Sequence, residues 1–217
     1  MSGLDQLTAE CLARLKAGQV ITEPAELRTY ECDGLSSYRS VPGLVILAES
    51  TADVGYVVGR CAELAVPFVA RGSGTGLSGG ALPRTDGVLV VTSRLNRIVD
   101  VDAADERAVV EPGVINAHLT TAAAPFGYYY APDPSSQQVC TIGGNVAENS
   151  GGAHCLKYGF TAHHVTGLEV VMPDGSVERF GGRAPDPVGY DVVGAVVGSE
   201  GTLGIVTEVT VRLLRSP

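Results

Sequence analysis

The sequence predicts an α+β fold of two lobes, a small strand, helix, strand lobe followed by a larger lobe of mixed or antiparallel sheet. Three observations predict it. Two compact apolar runs, Leu44–Ala48 and Val66–Ala70, bracket a helical pattern; the second run delivers a glycine-rich stretch, Arg71–Gly80; and from Arg97 onward short alternating runs punctuated by turn residues replace helical spacing. With 217 residues and 45% hydrophobic content, the chain can bury a full core as one domain or two joined lobes.

Residues 1–40 read as a helical lead-in. Leu4, Leu7, Cys11, Leu12 and Leu15 recur at helical spacing and Gly18 stops the pattern. Pro24–Tyr30 reads as a second helix with its proline in the first turn. The polar, turn-rich Glu31–Ser40 is either a mobile lead-in or a surface over a ligand. The first lobe, about 41–96, starts with Leu44–Ala48, a run suited to a buried strand. Ser50 or Thr51 caps a helix over about Ala52–Ala65, with Asp53 near its positive end. Val66–Ala70 then pairs in parallel through a right-handed crossover, which places the glycines at the carboxyl end of a strand, and Val88–Thr92 completes the lobe.

The second lobe, about 97–217, opens on a hairpin in which Ile98, Val99 and Val101 lead into an acidic turn at Asp102–Glu106 and Ala108–Gly113 returns. A helix over Ile115–Ala123, a short aromatic strand over Phe126–Ala131 and a strand over Ile205–Leu214 follow.

The stretch Arg71–Gly80 carries Gly72, Gly74, Gly76, Gly79 and Gly80 among small hydroxyl residues. Without Cβ atoms such a run turns successive N–H groups toward a ligand and forms a nest for an anion, and Ser73, Thr75 and Ser78 add donors. A phosphate or pyrophosphate fits this chemistry better than a flexible linker does, because a linker would not separate two β-type runs. Gly74–Gly79 satisfies G-x-G-x-x-G, yet Pro83 and the turn Ala81–Gly87 leave no helix to receive the pyrophosphate as the dinucleotide fingerprint requires. The Walker A loop fails as well, for want of a Lys-Ser or Lys-Thr pair.

A second informative region is Pro132–Gly152. Two prolines stiffen its approach, Gly143-Gly144 admits a close backbone, and Asn145 and Asn149 stand one helical turn apart. A helix over about Gly144–Asn149 would point both amides along one face, suited to a ribityl chain or a heteroaromatic edge. Taken alone, the segment is equally a glycine-rich loop with two solvated asparagines.

Composition narrows the class. Lys and Arg number 15 against 24 Asp and Glu, a net charge of −9, and no basic run gathers, which disfavours a nucleic-acid partner. The five cysteines are scattered without C-x-x-C spacing, as reduced thiols of a cytoplasmic-type compartment are. The acidic start and the lack of a long apolar run read as a mature chain with no transmembrane segment. His163 and His164 point to opposite faces if extended, so no metal is expected there.

The loop Arg71–Gly80, Ala131–Ser136 with Cys140–Asn149, Cys155–Thr161, Glu169–Gly175 and Gly198–Ile205 together resemble, in order, the PCMH-type FAD-binding domain of the vanillyl-alcohol oxidase superfamily. The resemblance spans about residues 40–215. It lies on the branch of FAD-linked oxidases that includes the FAD-linked subunit of bacterial glycolate oxidase and the D-lactate and D-2-hydroxyglutarate dehydrogenases.

The resemblance implies FAD between the two lobes. Arg71, Gly72, Ser73, Gly74, Thr75, Gly76, Leu77 and Ser78 would hold the pyrophosphate. Pro132, Asp133, Ser136, Cys140, Thr141, Gly143, Gly144, Asn145, Asn149 and Gly151 would line the flavin, ribityl and phosphate groups, and Glu200, Gly201 and Ile205 the adenosine or flavin edge. The loop lacks the histidine that tethers flavin in some branches, so FAD would be non-covalent. The implied activity is oxidation of a small 2-hydroxy acid of the glycolate or D-lactate type, with hydride passing from Cα to flavin N5 and a quinone, cytochrome or partner subunit reoxidising the flavin. The family's substrate-binding cap domain and its metal site are expected to be absent from this chain. No residue is therefore assigned as catalytic, with His154 as the outside candidate beside structural His118. Tyr128–Tyr130 are expected to pack in the core, and Cys140 needs no redox role. The alternative is a flavin-binding fragment or subunit without turnover of its own. Location would be cytoplasmic, or peripheral to a membrane through partner subunits.

Overall fold

The computed structural model describes residues 2–183 and 189–217. Its first sheet has the order β1-β2-β4-β3, built from β1 (Val20–Ile21), β2 (Leu44–Leu47), β3 (Phe68–Arg71) and β4 (Val88–Val91). The crossover helix α3 (Thr51–Leu64) links β2 to β3. Ser50 caps it by accepting from the Asp53 N–H at 3.1 Å, and Ala65 ends it in the left-handed region.

The expected parallel unit forms, but its two strands are not neighbours. Both pair with β4, in the registers Leu44↔Val88 and Phe68↔Val88. The reason lies in the side chains. Val88–Val91 is apolar on both faces and fully buried, so it takes a central position, whereas half-buried β3 tolerates the edge.

Each face of this sheet has its own cover. Val54, Val57, Val58 and Cys61 of α3 pack on Leu44, Ile46 and Val90, together with Leu7 and Cys11 of α1 (Gly3–Arg14). Leu27, from the short helix α2 (Pro24–Leu27), and Tyr30 cover Val45, Leu47 and Leu89. Leu7, Cys11, Leu27 and Tyr30 of the lead-in thus pack into the first lobe's core. Leu12, one of the expected stripe, is 57% exposed, because the buried face of α1 narrows to Leu7 and Cys11.

The second sheet, β5-β6-β10-β8-β9, is wholly antiparallel. It comprises β5 (Ile98–Asp102), β6 (Arg107–Val110), β8 (Val165–Val171), β9 (Val177–Gly181) and β10 (Ile205–Arg212), while β7 (Tyr128–Tyr129) pairs separately with β11 (Leu214–Arg215). Helices α4 (Asn116–Ala123), α5 (Ile142–Glu148), α6 (Cys155–Tyr158) and α7 (Val192–Val196) complete the chain. Alternation along β10 buries Ile205, Thr207, Val209 and Val211. Tyr128 and Tyr130 are buried against Leu119, Ile142 and Leu213, as core residues.

The lobes are tied through α3. Thr51 donates to Glu169 at 2.9 Å, and Val171 and Ile205 of the second sheet join the first lobe's core.

The five cysteines are free thiols, three of them buried. Burial pushes Cys11 up to about 11 and Cys61 up to about 12, so at pH 8 neither carries an appreciable thiolate. Thiol titration of the native protein with an aromatic disulfide at that pH is expected to find only Cys32 and Cys155 reacting promptly, and all five after denaturation. Prompt labelling of Cys11 or Cys61 would contradict this packing.

Candidate functional site

A cavity of about 300 Å³ opens where the two lobes meet. The glycine loop forms one wall, α5 the second and Ser199–Val206 the third, with Ala70 and Thr92 at the base.

Each wall has a local cause. The loop leaves the carboxyl end of β3, and Gly74 and Gly79 adopt positive φ. Arg71 turns back beneath it. Its guanidinium donates to the Cys32 carbonyl at 2.8 Å and to Tyr30 at 3.4 Å, pinning residues 30–34 behind the loop. Burial lowers the Arg71 pKa, opposed by nearby Asp33. Residues 30–34 therefore back the loop, with Gly34 against the Thr75 and Gly76 carbonyls, a role other than the two open to segment 31–40 from sequence.

Thr141 caps α5, accepting from the Gly144 N–H at 3.2 Å. The third wall is fastened to the other end of that helix, where Gly198 and Glu200 donate N–H groups to Val146 and Ala147 at 2.8 and 2.9 Å. Loop and helix run side by side. A Cβ on Gly72 would fall inside contact distance of Thr141 Oγ1, while Ser78 donates to Glu148 Oε2 at 2.8 Å at the far end.

Two features equip the cavity to bind polar groups. Among the described residues, no main-chain N–H from Gly72 to Ser78 donates to a backbone carbonyl. Asn145 is 98% buried, yet its Nδ2 has no hydrogen-bond partner among those residues. A buried amide left unpaired costs about 1–3 kcal/mol, so an acceptor is wanted there. Cys140 lies on the same wall, its thiol pKa raised by burial and partly opposed by Ser136 and Asn145.

Of the residues singled out from sequence, Arg71 to Leu77, Ser136, Cys140, Thr141, Gly143, Gly144, Asn145, Glu200, Gly201 and Ile205 line the cavity. The others are not on its lining. Ser78 holds Glu148; the Pro132 carbonyl accepts from Asn116 at 3.1 Å; Asp133 engages His154 Nδ1 at 2.5 Å; Gly151 packs on the Phe160 ring. Asn149 corrects the expectation of two amides on one face. It ends α5 with φ of 48°, and its Oδ1 accepts from Ala162 at 3.0 Å, because the left-handed turn rotates it off the helix face.

His154 is thus held by Asp133 outside the cavity, and buried His164 meets the Tyr158 carbonyl at 2.9 Å. No cluster of three or more metal-ligating side chains occurs among the described residues, and none of their helices is long and apolar enough to cross a membrane. Sequence reasoning gave no role to Glu148 or Ser199, which also line the cavity. Glu148 was reachable, since it stands three residues after Asn145 on the same helical face.

The sequence profile of a family described as "FAD binding domain" matches residues 42–181. Among curated relatives, glycolate oxidase subunit GlcD of Escherichia coli K12 is 50% identical over 199 residues, 92% of this chain and 40% of that protein. D-lactate dehydrogenase of Archaeoglobus fulgidus is 34% identical over 215 residues, 98% of this chain and 46% of that protein. A solved alkyldihydroxyacetonephosphate synthase superposes with a TM-score of 0.87 at 23% identity, over 98% of this chain and 41% of the other, and so shares the fold. The chain spans less than half the length of each.

Proposed function

We propose, from the premise that this chain belongs to the FAD binding domain family, that it is the flavin-holding part of an oxidoreductase acting on the CH–OH group of a small 2-hydroxy acid. FAD is the family's cofactor, and the cavity fits it on grounds independent of the match. The observation that carries the reading is the row of main-chain N–H groups from Gly72 to Leu77, on residues that line the cavity and with no backbone carbonyl to bind among the described residues, beside the unpaired Asn145 amide. The loop N–H groups would hold the pyrophosphate, and Asn145 would donate to an acceptor on the flavin or its ribityl chain.

FAD when bound supplies a two-electron acceptor for hydride from the carbon that bears the hydroxyl. The chain's own share is positioning. The Thr141-capped helix and the pinned loop fix the cavity's width, the apolar lining of Val146, Val196 and Ile205 excludes water, and no side chain of the loop is a histidine that would tether the cofactor. The substrate class, glycolate or D-lactate, comes from the relatives' names, as does a role as one subunit of an assembly. A cytoplasmic-type compartment accords with the free thiols. Because the match covers 40% of the glycolate oxidase subunit, a second reading has the chain retaining FAD without turning substrate over alone.

The test is the visible spectrum of the purified chain, before and after incubation with FAD and desalting. Retained flavin absorption is expected. Anaerobic bleaching by glycolate or D-lactate would place turnover in this chain, retained colour without bleaching would favour the second reading, and failure to retain any flavin would sink the proposal.

A further inference from the structure

The one-turn helix α6 is exposed yet fastened at both ends. At its start the Asp133 carboxylate accepts from the His154 main-chain N–H at 3.3 Å and from the ring Nδ1 at 2.5 Å. At its close the Tyr158 carbonyl accepts from buried His164 Nε2 at 2.9 Å, and the Tyr158 ring stands edge-on to Tyr129 at 6.3 Å. Pro132 and Pro134 stiffen the backbone on either side of Asp133. A Cβ on Gly152 would fall on the Asp133 carboxylate, so only glycine there lets the acid reach His154.

That pairing decides what the ring can do. An ionised carboxylate only accepts, so in the neutral imidazole Nδ1 carries the hydrogen and the Nε2 lone pair is left for another molecule. The His154 side chain is 69% exposed, which leaves Nε2 open to a visitor. One turn on, exposed Lys157 lies over the Tyr158 ring with Nζ 4.8 Å from its centroid. Of the chain's two lysines, Lys16 pairs with Glu49, whereas Lys157 has no carboxylate partner among the described residues. The dyad adjoins the cofactor cavity in the chain, since Ser136 and Ser150 line that cavity, three residues after Asp133 and four before His154, at most about 14 Å of extended backbone.

A small acid meeting a flavin held in the cavity approaches from beside it, and oxidation of its alcohol takes a cation for the carboxylate and a base for the hydroxyl proton. We propose that α6 is this chain's substrate-facing subsite, where Lys157 holds the carboxylate of the 2-hydroxy acid and His154, oriented by Asp133, takes the proton of its hydroxyl. The O–H bond breaks toward Nε2, the hydrogen on the same carbon leaves with its electron pair to the FAD, and the alcohol carbon becomes a carbonyl. The products are a 2-oxo acid, an imidazolium and the two-electron-reduced cofactor. Asp133 acts as a positioning residue, setting the tautomer. The inference rests on the FAD reading above and adds to it residues for the substrate.

The test starts from the chain loaded with FAD, retention being read from its visible spectrum. Oxalate, of glycolate's size and without a hydrogen on carbon to give, is then titrated, with binding followed in the flavin band and the His154 ring by long-range proton–nitrogen NMR. Oxalate is expected to shift the His154 Nε2 resonance. His154→Gln and Lys157→Gln are each expected to weaken oxalate about tenfold with FAD affinity unchanged, as loss of one charge-assisted hydrogen bond does. Any bleaching by glycolate should slow about a hundredfold in His154→Gln. Asp133→Asn should turn the neutral ring over to its Nε2–H tautomer in the same spectra, and Asp133→Glu should restore the parent's. Flavin retained while oxalate leaves the His154 ring unmoved, or oxalate bound equally by both variants, would overturn the assignment alone. A chain that retains no flavin would remove the FAD reading and this inference with it.

Discussion

Gly72→Ala is expected to cost the chain most of its FAD affinity. The added methyl has no free space, because Thr141 Oγ1 already occupies the position a Cβ would take. Overpacking of this kind costs about 1–3 kcal/mol, roughly a tenfold to hundredfold loss of affinity where the strain falls on the binding wall. Moving Thr141 also disturbs the bond that caps α5, worth about 1 kcal/mol. The measurement is the FAD dissociation constant beside the urea midpoint of the flavin-free protein. Gly72→Ala with Thr141→Ala should recover part of the lost affinity, since the second change removes the clashing oxygen and the two sites are in contact. Strictly additive losses would show that the loop and α5 do not meet as described.

The second large effect has opposite signs in the empty and the loaded protein. Asn145→Leu should raise the stability of the flavin-free chain by up to about 1–3 kcal/mol, because it replaces an unpaired buried amide with an apolar side chain of similar size. The same change should weaken FAD binding at least about tenfold, as the acceptor the amide serves would lose its donor. Thermal melts with and without FAD read both at once: the variant melts higher when empty and gains less from added cofactor. A variant that is destabilised when empty would mean that Asn145 is already paired in the resting protein.

Much of this was legible in the chain itself. The apolar runs that became β2 and β4, the Ser50 cap of α3, the hairpin of β5 and β6 and the short helix before Asn149 all follow from spacing and capping chemistry, which act within a few residues. The glycine loop's suitability for an anion was equally local, because it depends on missing Cβ atoms and on N–H groups with nothing in sequence to bind. The family was legible as well, since its motifs recur in order along the chain, and the profile match over residues 42–181 agrees.

Other features needed the packed structure. Local pattern predicted that residues 44–48 and 66–70 would be parallel strands, but only burial on both faces put β4 between them. The same spacing that put Asn145 on the cavity suggested Asn149 beside it, until a left-handed residue turned that side chain toward Ala162. The Arg71 guanidinium is pinned to the carbonyls of Tyr30 and Cys32, a contact about forty residues distant in the chain that no local rule contains. The sequence by itself determined the first lobe's elements and the anion-binding character of the loop, because backbone preference and side-chain period are short-range properties, and the resemblance of its ordered motifs supplied the cofactor class. Which face of α5 meets the loop, and that Glu148 and Glu200 share the space at Gly80, was decided by tertiary structure, because those distances exist only once the two lobes close on one another.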